Sequence, residues 1–368
     1  MKLTRPSFVL VAALVAVAAL VGLAAHLQQS FGWLAGLGLV LGVNALAGQF
    51  TGAFSGTLGL NALDIAKLNA GDEMSALIEK NKNAAPELAL FPAFEIAGTS
   101  ATTCIRTGYP AGAFKKLGGG VTPGGSSFDN VQFSLYNYDN PLQERDDIMK
   151  SHRKGRDFAL ALALSGAVKG AFELMGKAVY YGARSFGGGV DAFPGLIDLY
   201  DSTTKFVDAG GTTASTGSSV WFIKFGDQED GLVSMIFGNG RGLSARDWLL
   251  QQLVIDSATG TVADGWTNSL NAAVGVQLAD VDAAVRIGKL TEDSGKGLTD
   301  TLGYKALEKF PVGMKPDVAL MTRRSQRQLR DSRTGTGGGA PNIALPTDIA
   351  GIPIVLTDSI LNTEALAL

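Results

Sequence analysis

Cysteine and histidine are nearly absent from this chain. Cys104 is the one cysteine among 368 residues, which rules out an intrachain disulfide framework. A lone cysteine of this kind is expected as a small buried hydrophobe. The two histidines are His26, inside an apolar run, and His152, in the basic cluster His152-Arg153-Lys154. A hydrolytic triad needs a histidine beside a nucleophile and an acid, and neither context offers one. A zinc site draws on several Cys and His ligands, and the stock is too small. Charge is scarce too. Asp, Glu, Lys and Arg make up 18% of the chain, against roughly a quarter in an average globular protein. Less solvated surface than usual leaves two readings: association with a membrane, or burial of outer surface against neighbouring subunits. The net charge of −3 gives no global attraction to nucleic acid, so any contact with a polyanion must be local.

Nucleotide-binding loops are missing as well. Ser294-Gly295-Lys296-Gly297 resembles half a phosphate loop, but Leu290 stands where a glycine is needed and Gly297 replaces the Ser/Thr. Gly238-Asn-Gly-Arg-Gly242 lacks dinucleotide-binding spacing and reads as a turn. The acid pairs Asp146-Asp147 and Asp280/Asp282 read as a helix N-terminal charge and a turn rather than as a cation site. No catalytic residue, cofactor or metal ligand is assigned.

What is abundant is apolar sequence and glycine, at 46% and 48 residues. Phe8 to Ala25 is a continuous apolar run, about 27 Å long as a helix and close to the thickness of a bilayer core. A glycine-rich second run follows from Phe31 to Ala47. Residues 8–47 therefore fit a membrane anchor or hairpin, an overlong processed leader, or a start assigned too far upstream. Residues 1–55 are set apart as an extension.

Short helices and an extended arm are expected over residues 56–104, with Leu63, Ile65, Ala66, Leu68, Met74, Leu77 and Ile78 as a brief amphipathic pattern broken by Pro86 and Pro92. The glycine clusters between Ile105 and Ser127, followed by alternation from Val131 to Tyr138, predict a projecting two-stranded loop over 105–145. The periodicity from Asp146 to Ala183 predicts one long helix. Phe158, Leu162, Val168, Phe172, Met175 and Val179 fall on one face, with Lys169, Glu173 and Lys177 on another. Beyond Gly187 the pattern becomes α+β around one core. Val220–Phe225 and Leu232–Phe237 are expected to pair as a hairpin, Leu278–Leu290 fits helix or strand, and Ile349–Asp358 closes the chain as a strand with Pro353 at an edge.

One surface motif stands out. In Thr322–Arg333, five arginines fall within eleven residues, and Arg323, Arg327 and Arg330 share a helical face with Arg324 beside it. Such a cluster is a solvated face, a partner for a neighbouring subunit's carboxylates, or a phosphate contact.

Several segments, in order, resemble the major capsid proteins of tailed phages, whose shell fold encapsulins share. They are Arg106-Thr-Gly-Tyr-Pro with Phe114-Lys-Lys-Leu-Gly, then Tyr180-Tyr-Gly and Phe193-Pro-Gly-Leu, then Ser219-Val-Trp-Phe-Ile-Lys-Phe-Gly. Leu320-Met-Thr-Arg-Arg-Ser-Gln-Arg-Gln-Leu-Arg and Ile349-Ala-Gly-Ile-Pro-Ile-Val-Leu-Thr-Asp complete the set. The resemblance covers about Asn61 to Ala365 and leaves residues 1–55 outside it. It implies an N-terminal arm, an extended loop, a spine helix at 146–185, and peripheral and axial domains within 186–368. It also implies hexamers and pentamers in an icosahedral head that matures from a procapsid around weakly held double-stranded DNA. Portal and scaffolding proteins would be partners, and assembly would take place in the host cytoplasm. An encapsulin-like compartment and a membrane-anchored surface protein are the alternative readings.

Overall fold

The structure, a computed structural model, describes residues 85–226, 230–238, 243–256, 261–336 and 344–366. The apolar runs of residues 8–47, the Leu63–Ile78 pattern and the Asn239–Gly242 part of the glycine turn lie outside the described residues. Within them the fold is α+β: two six-stranded sheets, a separate two-stranded hairpin, and one long helix.

The first sheet is organised by β10 (Thr261–Gln277), a 17-residue strand that pairs with several neighbours along its length. It pairs antiparallel with β9 (Leu249–Asp256), β4 (Tyr136–Arg145), β8 (Ser244–Ala245) and β7 (Ser234–Gly238). On the far side of β7 lies β1 (Ala93–Ile96), in parallel. The second sheet has the order β13 (Asp348–Ile349), β14 (Ile352–Leu356), β12 (Val318–Met321), β6 (Ser218–Ile223), β11 (Ala284–Leu290) and β5 (Phe206–Asp208). All six residues of β6 are buried, so this strand is covered on both faces. On one face Val220, Phe222, Val285, Ile287, Ala319 and Met321 pack with Ala306 of α5 (Asp300–Leu307) and Leu329 of α6 (Arg323–Thr336). On the other, Trp221 meets Tyr200 and also Tyr180 of the long helix α3 (Arg156–Tyr181).

This arrangement corrects the expected pairing of Val220–Phe225 with Leu232–Phe237. The two runs enter different sheets and, among the described residues, pair with each other only at the isolated bridge between Phe225 and Val233. Both strands are buried on both faces, so no alternation marks which way either faces, and local sequence cannot choose the partner. Nor is there one core from Gly187 onward, because β1 and β4, from earlier in the chain, complete the first sheet.

The helix expected over Asp146–Ala183 is two helices. A five-residue α2 (Asp146–Lys150) ends before Gly155, which sits at φ +89° where other residues strain, and α3 starts afresh. Asp146 and Asp147 occupy the first turn of α2. Val168, Phe172, Met175 and Val179 are buried, but Phe158 and Leu162 of the expected face are exposed. By length and composition alone α3 is the one helix among the described residues apolar enough to cross a membrane, yet its C-terminal half is packed in protein. There Gly182, at φ +56°, lies so close to Gly195 that a Cβ on it would sit 2.3 Å from the Gly195 nitrogen.

Leu278–Leu290 resolves into a 3-10 turn, Val281–Ala283, leading into β11; the Asp280 carboxylate accepts from the Asp282 N–H at the turn. At the chain's end the two-residue β13 covers the other edge of β14, and Pro353 stands opposite Asp348 there.

Upstream, α1 (Pro86–Leu90) is pinned against α3. Glu87, fully buried, accepts a 2.9 Å hydrogen bond from Thr357, and a Cβ on Gly176 of α3 would sit 2.3 Å from the Glu87 carboxylate. Residues 100–134 form the projecting element. Strands β2 (Ser100–Gly108) and β3 (Ser127–Ser134) pair antiparallel and are separated from β4 only by Leu135. The expected single strand over Val131–Tyr138 is therefore two strands in different sheets. The hairpin's foot is anchored by Ala101 and Phe133, which pack on Ile236. Toward its tip the strand residues are mostly exposed among the described residues, and Cys104, expected to be buried, is exposed midway along β2.

Candidate functional site

The basic helix is a helix for simple reasons. Thr322 Oγ1 accepts from the Ser325 N–H at 3.2 Å, capping its start, and Ser325 and Leu329 are buried against the second sheet. The arginines then divide by orientation. Arg324 turns inward. It donates to the carbonyls of Thr216 at 2.8 Å, Leu290 at 3.2 Å and Asn362 at 3.1 Å, and so ties β11, the loop before β6 and the C-terminal segment together. Half-burial holds its guanidinium below the ordinary arginine range. Arg327 makes two bonds to Glu292, of 2.6 and 2.7 Å, and Arg330 binds Asp331. Arg333 grips Asp300 at the start of α5 with two 2.7 Å bonds and also donates to the Asp348 carbonyl. Arg323 is exposed. Of the four arginines singled out, Arg324 is thus a structural clasp and Arg327 and Arg330 are paired within the chain. Arg323 is the one that faces solvent without a hydrogen bond or ion pair among the described residues.

Beside this helix, Asp293 accepts from the backbone N–H groups of Thr212 and Thr213 and from the Thr291 hydroxyl. The Thr213 hydroxyl, which also donates to it, and then these donors hold its carboxyl well below the usual carboxylate range. Its bonds all close a loop, so the cluster is scaffold. Among the described residues no group of three or more His, Cys, Asp and Glu side chains is placed to hold a metal ion.

A second charged centre, invisible in the linear sequence, is buried. Arg286 of β11 and Glu364 of the C-terminal segment form a 3.0 Å ion pair, each side chain 2% exposed. The Glu364 carboxylate also accepts from Tyr181 of α3 and, at 2.7 Å, from Ser219 of β6. Arg286 lies over the rings of Phe206 and Trp221. Burial, with the adjacent Glu364 charge, pushes the Tyr181 hydroxyl far up. Four segments meet on one carboxylate. A buried pair of this kind fixes geometry more than it adds stability.

The reactive-looking surface is elsewhere, at the hairpin tip. Phe114 and Leu117 are fully exposed, Tyr109 is 77% exposed, and Lys115 and Lys116 stand between the two apolar side chains. Arg106 lies over the Tyr109 and Phe128 rings. Large apolar groups at the end of a projection with no core beneath them mark a contact surface. The glycine-rich stretch predicts the excursion; only the structure shows that its aromatics lack cover.

The family model for the major capsid protein GP7 matches residues 71–367. The chain belongs to this family. This major capsid protein is therefore a structural component of a virion, a subunit of the icosahedral phage head, and it assembles with copies of itself. Among solved structures, that of bacteriophage Epsilon15 is similar over 74% of this chain and 87% of its own, with a TM-score of 0.56 and 18% identity. The bacteriophage JBD30 capsid aligns over 73% and 88%, with a TM-score of 0.40 and 11% identity. The SrpI encapsulin from Synechococcus elongatus PCC 7942 aligns over 55% and 86%, at 0.37 and 8%. The Epsilon15 likeness shows the fold the capsid protein adopts. No curated protein sequence matches the chain.

Proposed function

We propose that this capsid protein tiles the head as hexamers and pentamers, using the β2–β3 hairpin and the exposed faces of α3 and β9–β10 as contacts between subunits. It performs no catalysis. Its partners beyond itself are a portal and a scaffolding protein, and the double-stranded DNA it encloses is held by weak, non-specific contact through Arg323 and the outer edge of the Arg327–Arg330 face. Assembly takes place in the host cytoplasm, before the DNA enters. Residues 56–104 act as the arm, 105–145 as the extended loop, 146–185 as the spine, and 186–368 as the peripheral and axial parts.

The observation that carries this reading is the uncovered apolar tip of the hairpin on a chain with little charge. Shell subunits need many modest contacts, repeated over every copy. The test is electron microscopy of the purified full chain across a range of concentrations. Closed shells of uniform diameter are expected; a chain that stays monomeric at every concentration overturns the proposal. The matching measurement for DNA is the salt dependence of its binding to assembled shells, expected to be shallow because few phosphates are neutralised.

A further inference from the structure

Resting on the reading that the head encloses double-stranded DNA, we infer that the loop between α2 and α3 is a contact for the DNA phosphates, with Arg153 and Lys154 as its free cations. From Arg145 at the start of α2 to Asp157 in the first turn of α3, the chain carries five Lys and Arg and three Asp. Each of the three carboxylates has a cation of its own. Arg145 binds Asp147, Lys150 pairs with Asp146, and Arg156 pairs with Asp157 at 3.2 Å while its guanidinium lies 4.8 Å from the centre of the Trp266 ring. Two cations are left over. Arg153 and Lys154 are exposed, and among the described residues neither side chain makes a hydrogen bond or an ion pair.

The loop that presents them is shaped. The Gly155 N–H donates to the His152 carbonyl at 2.9 Å, and the Lys154 N–H donates to His152 Nδ1 at 3.2 Å. His152 stacks on Phe158 with ring centroids 5.3 Å apart, and the Lys154 ammonium lies 4.5 Å from the same ring. Imidazole and ammonium both lie against Phe158, so the loop offers charge rather than an apolar pocket. That suits a row of phosphates better than a protein segment, which must bury side chains to bind.

The arginines of α6 are the more conspicuous run, but Arg324, Arg327 and Arg333 are already engaged by backbone carbonyls, Glu292 and Asp300. A phosphate must displace those partners, whereas a free cation meeting a phosphate simply releases a condensed counterion. Lys115 and Lys116 also have no carboxylate partner among the described residues, but they stand at the hairpin tip, the part given above to contacts between copies.

The test is the binding of a fluorescein-labelled duplex of about 30 base pairs to the purified full chain, followed by anisotropy between about 50 and 300 mM sodium chloride. Arg153→Ala with Lys154→Ala should lower the slope of log K against log salt by about two and weaken binding about tenfold at the low-salt end. Thermal unfolding of this variant should stay unchanged. Arg153→Lys with Lys154→Arg keeps both charges and should bind within about twofold of the original. An unchanged slope in the double alanine variant overturns the inference, and if Arg323→Ala still lowers the slope, the DNA reading stands without the loop. Tighter binding of a poly-glutamate peptide, or of phosphatidylglycerol vesicles, through the same two residues would give the loop to another partner and overturn the inference as well. If the original chain binds no duplex even at low salt, the DNA reading fails and takes the inference with it.

Discussion

Glu87 is a carboxylate with no cation beside it among the described residues. It is fully buried between α1, Gly176 of α3 and the Thr357–Ser359 segment, and the groups facing it are two hydroxyls, the Tyr180 ring and, farther off, Asp358. Burial raises its pKa above the ordinary glutamate value, so the folded chain holds its proton at a pH where the unfolded chain has released it. Stability therefore falls as pH rises from the ordinary glutamate range through the raised folded value, the reverse of an ion-paired acid. Glu87→Gln keeps the shape and removes the titration. Urea unfolding of the unassembled variant should lack this downward slope, gaining about 1–3 kcal/mol relative to the original chain between pH 4.5 and pH 8. Parallel profiles for the two proteins would show that Glu87 does not titrate in this range. Glu364 matters for its partner instead: removing it strands Arg286 under two aromatic rings. Glu364→Ala should cost about 3–5 kcal/mol, read by the same urea titration, whereas Glu364→Gln keeps an acceptor for Tyr181 and Ser219 and should cost less. Neither role was legible in the sequence. Their partners lie 270 and 78 positions away, beyond the reach of any local pattern.

The helix α3 carries two kinds of glycine. Gly176 is enclosed, and a Cβ there would meet the Glu87 carboxylate at 2.3 Å and the Ser359 hydroxyl at 2.4 Å. Gly166 faces open space, and a Cβ there would meet nothing within 4 Å. Gly176→Ala should destabilise the free chain by about 1–3 kcal/mol through displacement of α1 and the C-terminal segment. Gly166→Ala should stabilise it by about 0.5–1 kcal/mol through helix propensity alone. Thermal unfolding of unassembled protein separates the two. A Gly166→Ala variant that is more stable as a free chain but assembles poorly would mark this helix face as a contact between subunits. The same helix shows what periodicity reveals and what it hides. The buried set Val168, Phe172, Met175 and Val179 was readable at helical spacing. The interruption at Ser151–Gly155 was passed over, although residues 150–157 carry no apolar side chain to continue the face and Gly155 takes a positive φ between the two helices. Strand partners were hidden for a related reason. Residues of β6 and β7 are buried on every side, and a pattern with no alternation carries no information about which sheet a strand joins.

At the scale of the molecule, the outstanding quantity is apolar surface left uncovered. Beyond the hairpin tip, Leu249, Leu250, Val254 and Val262 are exposed on β9–β10, and Phe158 and Leu162 on α3. Low charge made such surface foreseeable from composition. The place of each patch was not, since it depends on which strand faces the two sheets leave unpacked. The basic helix misleads in the complementary way: its arginines are conspicuous in the chain, but Glu292, Asp300 and three backbone carbonyls absorb most of their donors. Assembly should therefore be driven by apolar burial, with charge setting register. Apolar association strengthens on warming from the cold and with excluded salts such as sulfate, whereas exposed ion pairs are worth about 0–1 kcal/mol each and are screened by sodium chloride. Light scattering should show shell formation rising between about 4 and 25 °C and rising with ammonium sulfate, with only a modest loss in sodium chloride. Assembly that is favoured by cold and abolished by moderate sodium chloride would mean that charged faces, not the uncovered apolar ones, hold the copies together.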